Sequence, residues 1–397
     1  FAEWGRWSNP RAMVDELHNE GIKVLLWQAP VQKYMRGALH PQRDEDERVM
    51  VERGYCVKNE DGTPYRTPYG WFAGSLVPDF TSTDACRWWL DKRRYLLEDI
   101  GIDGFKTDGG ECILGDELVF SDGSAGRTMH NRYGLDYIEA YYNYVKEFKE
   151  DGITFSRAGF AGAQRMPMHW AGDERSTWEA FRASIRAGLS AGLSGIIFWG
   201  WDLGGFHGDT PSAELYIRSV QMAAFCPVMQ YHAETRGEFN RDRTPWNIAD
   251  RTGDMRALTI YRDYAILRMN ILPYIYSEAE KCVRGNEPLM RAMFYDFPDD
   301  SECRCIDMQY MFGRSMLIAP VAEEGRTIKR VYLPGGRWYG LFDNKMYEKA
   351  GYYNISAPID MIPVFVRYNS IIPLNLDRSL QLFSDVDNDL RSFKKLC

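Results

Sequence analysis

Two acidic residues lie where chemistry could be done, each at the end of a predicted strand. Asp108 follows the run Ile102–Thr107 and precedes the glycines Gly109–Gly110, which let a ligand approach the backbone closely. Asp173 ends the run Met168–Gly172 and precedes the polar start of a predicted helix. Each one alone could be a helix N-cap. As a pair without a metal-binding spacing nearby, they indicate glycosyl transfer, in which one carboxylate attacks the anomeric carbon and the other protonates the leaving oxygen.

A cation precedes Asp108 by two residues. Because side chains alternate along a strand, Lys106 shares the face of Asp108. A nearby positive charge favours the ionised carboxylate, which a nucleophile needs. The spacing therefore favours an ionised Asp108, as a nucleophile requires, and a strand-end Asp that caps the next helix is the alternative.

Polar side chains end two further predicted strands. Arg157 follows the strand at 153–156, and its guanidinium can donate two parallel hydrogen bonds to a carboxylate or to sugar hydroxyls. Asp202 follows an aromatic run that contains Trp199 and Trp201. Aromatic rings, Trp170 among them, can stack on the apolar faces of pyranoses, although core packing explains most of the 14% aromatic content. Polar residues at the ends of several strands together favour a ligand-binding site over helix capping alone.

The elements that must position these residues alternate short apolar runs with amphipathic ones, which is typical of βα units and a parallel sheet. Six units are counted, with polar residues at the carboxyl ends of the strands, as in a (β/α)8 TIM barrel. Six is two short of a closed barrel, so the first two strands are expected to be missing. The predicted strands are 22–27, 102–108, 153–156, 169–172, 195–201 and 229–231, and the predicted helices are 9–17, 83–100, 130–149, 174–189 and 212–225.

Three further segments set the domain organisation. Residues 33–80 are charged, rich in Tyr, Gly and Pro, and long for a connection, so they are predicted to form an insertion subdomain. A helical segment runs from residue 251 to about residue 282, and from residue 288 short alternating strands predict a separate antiparallel β-sandwich. The predicted domains are a barrel at 1–285, a β-sandwich at 286–376, and at 377–397 a polar tail or the start of a truncated distal domain.

Composition limits the partners. The 397 residues carry a formal net charge of −8, which argues against nucleic acid or an anionic membrane as partner. No apolar run approaches the roughly 18 residues of a membrane span. The eight cysteines do not make a disulfide scaffold, and the spacing of the six histidines predicts no metal site, so no cofactor is expected and the cytoplasm is favoured. The chain opens at Phe1 without Met, which suggests a trimmed or partial chain; a homo-oligomer is left open.

The order and wording of six segments resemble glycoside hydrolase family 31, the family of α-glucosidases and α-xylosidases. The first segment, which contains Asp108, is similar to the family's nucleophile signature, and two later segments are similar to those that hold its substrate-binding Arg and its acid/base Asp. A fourth is similar to the family's His-Asp-Ile-Gly-Gly-Phe segment, with Trp201 in place of the commoner His. The segments are Gly104–Glu111, Phe155–Gly159 with Gln164–Arg165, His169–Asp173, Trp199–Phe206, Tyr231–His232 and Pro78–Thr81.

The resemblance implies a retaining hydrolase of terminal α-linked sugars, first of all α-glucosides, with Asp108 as nucleophile and Asp173 as acid/base, their carboxyls about 5–5.5 Å apart. An α-xylosidase, an α-galactosidase or an α-transglycosylase of the same family are the alternatives, and an inactive fragment that at most binds carbohydrate is the alternative of another class. The partner is then an oligosaccharide or a small α-glycoside. The implied substrate-binding residues are Lys106, Arg157, Trp170, Trp199, Asp202 and His232.

The chain departs from the family pattern in two respects. Gly109 follows the nucleophile position, where many α-glucosidases carry an aromatic residue or Met, so the floor of the sugar site is expected to differ. The family's N-terminal β-sandwich and its first two barrel strands are expected to be missing from this sequence, and its distal C-terminal domain is expected to be missing or truncated. Two neighbours of the site are expected to be structural: Cys112 as a packed thiol and Glu111 as a residue that orients a neighbour.

Overall fold

The computed structural model describes residues 7–70, 72–232, 242–377, 379 and 381–384. They form two compact units, which divide between His169 and Trp170. Each unit is described by itself below. The predicted tail at 377–397 falls for the most part outside the described residues, since nothing beyond Ser384 is described.

The first unit is built on parallel strands whose carboxyl ends are aligned. Gln28 of β1 pairs with Thr107 of β2, and Thr107 pairs in turn with Ser156 of β3. Ser156 also pairs with His169 of β4. The residues that follow these strands are therefore brought to one edge of the sheet. The strands are β1 Leu25–Gln28, β2 Gly104–Thr107, β3 Ile153–Ser156 and β4 Met168–Trp170, of which the last crosses into the second unit.

The helices of the first unit differ from prediction at two places. The single helix predicted at 83–100 is wrong: it is two helices, because the N–H of Arg93 donates to the carbonyl of Leu90 three residues back and the α-helical ladder ends there. The helix predicted from His130 begins four residues earlier, at Gly126. The helices are α1 Pro10–Asn19, α2 Pro41–Glu52, α3 Thr83–Asp91, α4 Arg94–Glu98 and α5 Gly126–Phe148.

The segment at 33–80 holds α2 and a set of isolated β-bridges. Its apolar side chains, among them Val57, Tyr65 and Val77, are buried against Phe120 and Tyr133, which follow β2 in the chain. The segment is therefore packed against the loop that follows β2 and against α5. Its standing as a subdomain, like the other predicted domain boundaries, stays a prediction.

The second unit continues with short strands and helices. The helix predicted from Glu174 begins only at Trp178, because Thr177 caps it by accepting a hydrogen bond from the N–H of Ala180. The strand predicted at 195–201 is shorter than expected, and the strand predicted at 229–231 is wrong, since Gln230 alone forms a bridge there, with Asp202. The elements are α6 Trp178–Leu193, β5 Trp199–Gly200, α7 Ala213–Ala223, α8 Pro245–Thr252, α9 Arg256–Asn270 and α10 Leu272–Gly285.

The C-terminal part of the second unit is antiparallel. A six-stranded sheet has the order β11-β10-β13-β8-β7-β6, and β9 pairs with β12 in a second sheet. A core that includes Leu317, Leu333, Trp338 and Phe365 is drawn from both sheets, which makes this part a sandwich. The elements are β6 Met290–Ala292, α11 Met293–Asp296, β7 Tyr310–Phe312, β8 Met316–Ile318, β9 Ile328–Leu333, β10 Trp338–Gly340, β11 Met346–Tyr347, β12 Gly351–Ser356 and β13 Val364–Arg367.

In the part of the chain that the structure describes, none of the helices combines the length and the apolar character that crossing a membrane requires.

Candidate active site

Three aligned strands of the first unit bring Trp27, Asp108 and Arg157 to one edge of the sheet. Trp27 lies in β1, Asp108 follows β2 and Arg157 follows β3. The backbone continues the ladder past the strands, since the N–H of Asp108 donates to the carbonyl of Gln28 at 2.8 Å and that of Arg157 to Thr107 at 3.3 Å. The strand register thus places these side chains beside one another.

The carboxylate of Asp108 is held at both oxygens. Trp27 Nε1 donates to Oδ2 at 2.7 Å, and Arg157 Nη1 lies 3.0 Å from Oδ1, which also accepts the N–H of Gly109 at 2.7 Å. The Asp108 side chain is 18% exposed, so it is oriented by its neighbours and still open to a ligand. A carboxylate with a fixed direction and partial access is what a nucleophile requires.

Arg157 joins two carboxylates. Besides its contact with Asp108, its Nε and Nη2 donate to the two oxygens of Glu111 at 3.2 and 2.9 Å, a bidentate pair. Glu111 thereby fixes the plane of the guanidinium that contacts Asp108. The ammonium of Lys106, the cation identified from the sequence, lies 5.7 Å from the centre of the Phe155 ring.

The glycines after Asp108 turn the chain tightly. Gly109 and Gly110 have φ of +74° and +111°, in the left-handed region that favours glycine. A Cβ on Gly110 would lie 2.9 Å from the Cβ of Ala158, so the chain passes close to the segment after β3. Cys112 beyond them is buried, and burial raises the pKa of its thiol, in keeping with a packed side chain.

In the second unit, Asp173 is exposed and follows β4 directly after Gly172. The backbone beside it is held by the segment that follows Asp202: the carbonyl of Glu174 accepts the N–H groups of Phe206 and His207 at 2.8 and 3.1 Å. These backbone bonds fix the position of Asp173 at the surface of this unit.

Asp202 is fully buried, at 0% exposure. Its Oδ1 accepts a hydrogen bond from Gln230 Nε2 at 2.7 Å, and its carbonyl accepts the N–H of Gly205 at 2.8 Å. Where a strand was predicted at 229–231, Gln230 thus makes a single backbone bridge to Asp202 and adds a side-chain hydrogen bond that holds the Asp202 carboxyl in place.

Glu174 is a buried acid that the sequence did not single out. Both of its carboxyl oxygens are buried, and neither accepts a hydrogen bond from the described residues. Burial, and after it the negative charge of Asp202, raise the pKa of Glu174 to about 8. Glu174 therefore keeps its proton at neutral pH.

This proton makes the stability of the protein depend on pH in a defined window. An unfolded Glu ionises near its model value of 4.5, whereas folded Glu174 holds its proton up to about pH 8. Between these values the folded state binds more protons, so the free energy of unfolding falls as pH rises. Glu174→Gln, which mimics the protonated acid, should melt close to the wild type at pH 4.5 and about 5 °C or more above it at pH 9.

Thermal melts of both proteins from pH 4.5 to 9 measure this difference. Glu179→Gln is the matched control, because Glu179 is an exposed acid in the first turn of α6, and its melting difference should not change with pH. A Glu174→Gln variant whose difference from the wild type is constant across the range would contradict the assignment of the proton.

The aromatic and histidine side chains named from the sequence differ in exposure. Trp170 and Trp199 are both 3% exposed, whereas His232 is exposed and its ring lies 4.8 Å from that of Phe206. His169 is 3% exposed, and burial lowers its pKa to about 4, so the ring is neutral at neutral pH. Its burial fits a packing role better than proton transfer.

The site residues fall into two sets. The first unit brings Asp108 and Arg157 into contact, and the second fixes Asp173 and Asp202 through neighbouring backbone and side chains. Sequence reasoning missed Trp27 as a partner of Asp108. The predicted strand 22–27 ends at Trp27, but its position alone does not show which side chain the ring contacts, since that depends on the register of β1 and β2.

Two family models match the chain. The one described as the glycosyl hydrolases family 31 TIM-barrel domain matches residues 2–278, and the one described as the glycosyl hydrolase family 31 C-terminal domain matches residues 286–372. They confirm the predicted fold class, an α/β barrel domain followed by an antiparallel β domain, and the resemblance seen in the motifs.

Two curated relatives are similar over nearly all of the chain. An isomaltosyltransferase from Sporosarcina globispora is 44% identical over 399 residues, which cover 100% of this chain and 36% of that protein. A 1,3-alpha-isomaltosidase from Kribbella flavida is 43% identical over 371 residues, 91% of this chain and 50% of that protein. The chain therefore spans about a third to a half of the length of these relatives.

Among solved structures, the chain is similar to the cycloalternan-forming enzyme from Listeria monocytogenes in complex with a pentasaccharide substrate. The TM-score is 0.94 at 43% identity, over 98% of this chain and 37% of that one.

Proposed function

This chain belongs to glycosyl hydrolase family 31, and from that premise we propose that the protein acts on α-linked glucosides with retention of configuration. The observation that carries the proposal is the Asp108 carboxylate, oriented by Trp27 at 2.7 Å and by Arg157 at 3.0 Å at the end of β2. The two curated relatives support glucosides as substrates, because both are named for isomaltosyl units.

In the proposed first step, an oxygen of Asp108 attacks the anomeric carbon while the bond from that carbon to the leaving oxygen breaks, and Asp173 gives its proton to that oxygen. In the second step, Asp173 removes a proton from water, the water oxygen attacks the same carbon, and the bond to Asp108 breaks. Two inversions give net retention. The Trp27 and Arg157 contacts support the attack, since they set the direction of the carboxylate.

The remaining residues named from the sequence are proposed to bind the sugar. Arg157 and Lys106 offer hydrogen-bond donors near the end of β2 and β3, and His232 offers an exposed ring. Asp202 is proposed to accept a hydrogen bond from a sugar hydroxyl, which requires that its buried carboxylate become accessible when the sugar binds. Trp170 and Trp199 are proposed as walls of the sugar site. Because each is 3% exposed, only a small part of each ring could contact the sugar.

A panel of 4-nitrophenyl glycosides tests the proposal on the intact protein. We expect the α-glucoside to be hydrolysed at least about tenfold faster than the α-xyloside, because a methylene-sized group contributes about 1–3 kcal/mol to discrimination. Proton NMR should show α-glucose as the first product, since two successive inversions at the anomeric carbon retain the configuration. The 4-nitrophenyl β-glucoside is the matched control, and we expect no hydrolysis of it.

The panel separates the alternatives. β-Glucose as the first product would overturn the retaining mechanism, and faster hydrolysis of the α-xyloside or α-galactoside would reassign the sugar. If the intact protein hydrolysed none of the glycosides, binding of carbohydrate without catalysis would be favoured.

Transfer to a sugar acceptor is a second candidate, which the 44% identity to the isomaltosyltransferase favours. The covalent intermediate is the same, and a sugar hydroxyl takes the place of water in the second step. With added glucose as acceptor, a transferase would release nitrophenol in excess of free sugar and form longer oligosaccharides. A hydrolase would release the two in equal amounts.

We propose an oligosaccharide or small α-glycoside as the partner. A homo-oligomeric state and a cytoplasmic location stay predictions.

A further inference from the structure

The connection from β4 to α6 carries Asp173. It runs from residue 171 to residue 177, since β4 ends at Trp170 and α6 begins at Trp178. Asp173 is exposed, so its direction depends on how firmly the backbone next to it is held. A general acid must come within hydrogen-bond reach of the leaving oxygen, so whatever holds this connection bears on the reaction.

Backbone hydrogen bonds tie the connection to the loop that follows Asp202. Besides the two bonds to the carbonyl of Glu174 described above, the N–H of Ser176 donates to the carbonyl of His207 at 3.2 Å. Arg175 and His207 also form a parallel bridge. The three residues that follow the proposed acid are therefore all bound to this loop.

Gly205 allows the connection and the loop to lie this close. Its φ of +94° is in the left-handed region that favours glycine. A Cβ at this position would lie 2.6 Å from both the N and the Cα of Ser176 and 2.7 Å from the carbonyl carbon of Arg175. A side chain there would force the two segments apart.

Arg243, which precedes α8, binds both segments. Its Nη2 donates to Ser176 Oγ at 3.0 Å on the connection, and to the carbonyls of Gly208 and Asp209 at 3.4 and 3.3 Å on the loop. Arg243 is 2% exposed, and its own carbonyl accepts the hydroxyl of Tyr216 at 2.7 Å. The guanidinium is therefore fixed from its backbone to its tip.

The contact with Ser176 is the route from Arg243 to the proposed acid. Burying a guanidinium costs free energy unless hydrogen bonds replace those it made to water. Its removal would free the side of the connection that faces it, three residues from Asp173. A misplacement of about 1 Å in a reacting group can lower a rate by about 100-fold.

Resting on the proposed function, we propose that Arg243 is the positioning residue of the acid/base: through Ser176 it holds the connection in the place from which the Asp173 carboxyl reaches the leaving oxygen. Arg243 acts through this contact and not on the sugar. Its loss should therefore weaken proton donation to the leaving oxygen more than attack at the anomeric carbon.

The test compares two donors that differ in their need for a proton, phenyl α-glucoside and α-glucosyl fluoride, on the intact protein. Phenoxide is a poor leaving group whose oxygen must take the proton of Asp173, whereas fluoride leaves as an anion. Because kcat/KM covers binding and the first step, Arg243→Ala should lower it about 30-fold or more for the phenyl glucoside and less than about threefold for the fluoride. Ser176→Ala should show the same selectivity with a loss of about fivefold, and should add little to Arg243→Ala in the double variant.

Two further variants frame the result. Asp173→Ala gives the reference pattern, a loss of about 100-fold or more on the phenyl glucoside with a small loss on the fluoride. Arg251→Ala is the matched control, because Arg251 is an exposed arginine of α8 that donates to Thr210 Oγ1 at 2.8 Å, on the same loop beyond Asp209. It should leave kcat/KM for both donors unchanged.

Equal losses on both donors in Arg243→Ala and Ser176→Ala would overturn the positioning role. Wild-type kinetics in Ser176→Ala would also overturn it, and this variant decides the question if Arg243→Ala is insoluble. In both cases a selective loss in Asp173→Ala would leave the proposed function standing. Equal losses on both donors in Asp173→Ala itself would show that Asp173 is not the acid, and would overturn the proposed function together with the positioning role.

Discussion

Replacing Asp108 with alanine is expected to lower kcat on an aryl α-glucoside by about 10⁴-fold or more, because no covalent intermediate can then form. The loss should be chemical and not structural. Asp108 is partly exposed at a strand end, and its contacts with Trp27 and Arg157 are made by its side chain. Steady-state kinetics together with a thermal melt measure both effects.

Rescue by azide makes the result specific. A small anion can enter the space left by the carboxylate and attack the same face of the sugar, so Asp108→Ala should form the β-glycosyl azide from an activated donor. Asp116→Ala is the matched control, since Asp116 is an exposed acid on the same loop and should keep wild-type activity. Activity above about one per cent in Asp108→Ala without azide would place the nucleophile elsewhere.

Gly104→Ala is expected to have the largest effect on stability. Gly104 begins β2 with φ of +155°, and a Cβ there would lie 1.8 Å from the carbonyl oxygen of Ile153 in β3 and 3.1 Å from a methyl of Leu25 in β1. The central strand would have to separate from both neighbours. We expect a loss of about 3 kcal/mol or more, which corresponds to a fall in melting temperature of about 6 °C or more, or to insoluble protein.

The control for this variant is Gly335→Ala, because a Cβ at Gly335 meets no atom within 4 Å. Its melting temperature should stay within about 2 °C of the wild type, the range of an ordinary surface substitution. If Gly104→Ala also melted within about 2 °C of the wild type, the close approach of β2 and β3 would be wrong. The alignment of Asp108 with Arg157 would then lose its basis.

The strand ends could be predicted from the sequence because buried parallel strands are short, apolar and followed by polar residues. This pattern located Asp108 and Arg157 correctly at the ends of β2 and β3. It failed at 229–231, where a strand was predicted and Gln230 makes only a single backbone bridge, to Asp202, with a side-chain hydrogen bond beside it. Periodicity cannot distinguish these two cases.

Contacts between segments that are distant in the chain could not be predicted from the sequence. Nothing local to Trp27 shows that its ring nitrogen reaches a carboxylate 81 residues away, since this depends on the register of β1 and β2. From the sequence, Glu174 looked like an ordinary polar residue at the start of a helix. Its raised pKa results from burial and from Asp202, neither of which a motif reveals. The helix predicted at 83–100 failed because no Pro or Gly marks the break at Arg93.

Arg157 lies between Asp108 and Glu111, so the three side chains together carry one formal negative charge. A glycosyl ester at Asp108 would remove that charge and leave Arg157 and Glu111 as a neutral couple. In the proposed mechanism the cluster would carry a negative charge while positive charge develops on the sugar in the transition state. Once the bond to Asp108 has formed, the sugar and the cluster would both be uncharged. Glu111 would then serve as the counter-ion of Arg157 in the covalent intermediate, and without it the guanidinium would lose both carboxylate partners until Asp108 is released in the second step.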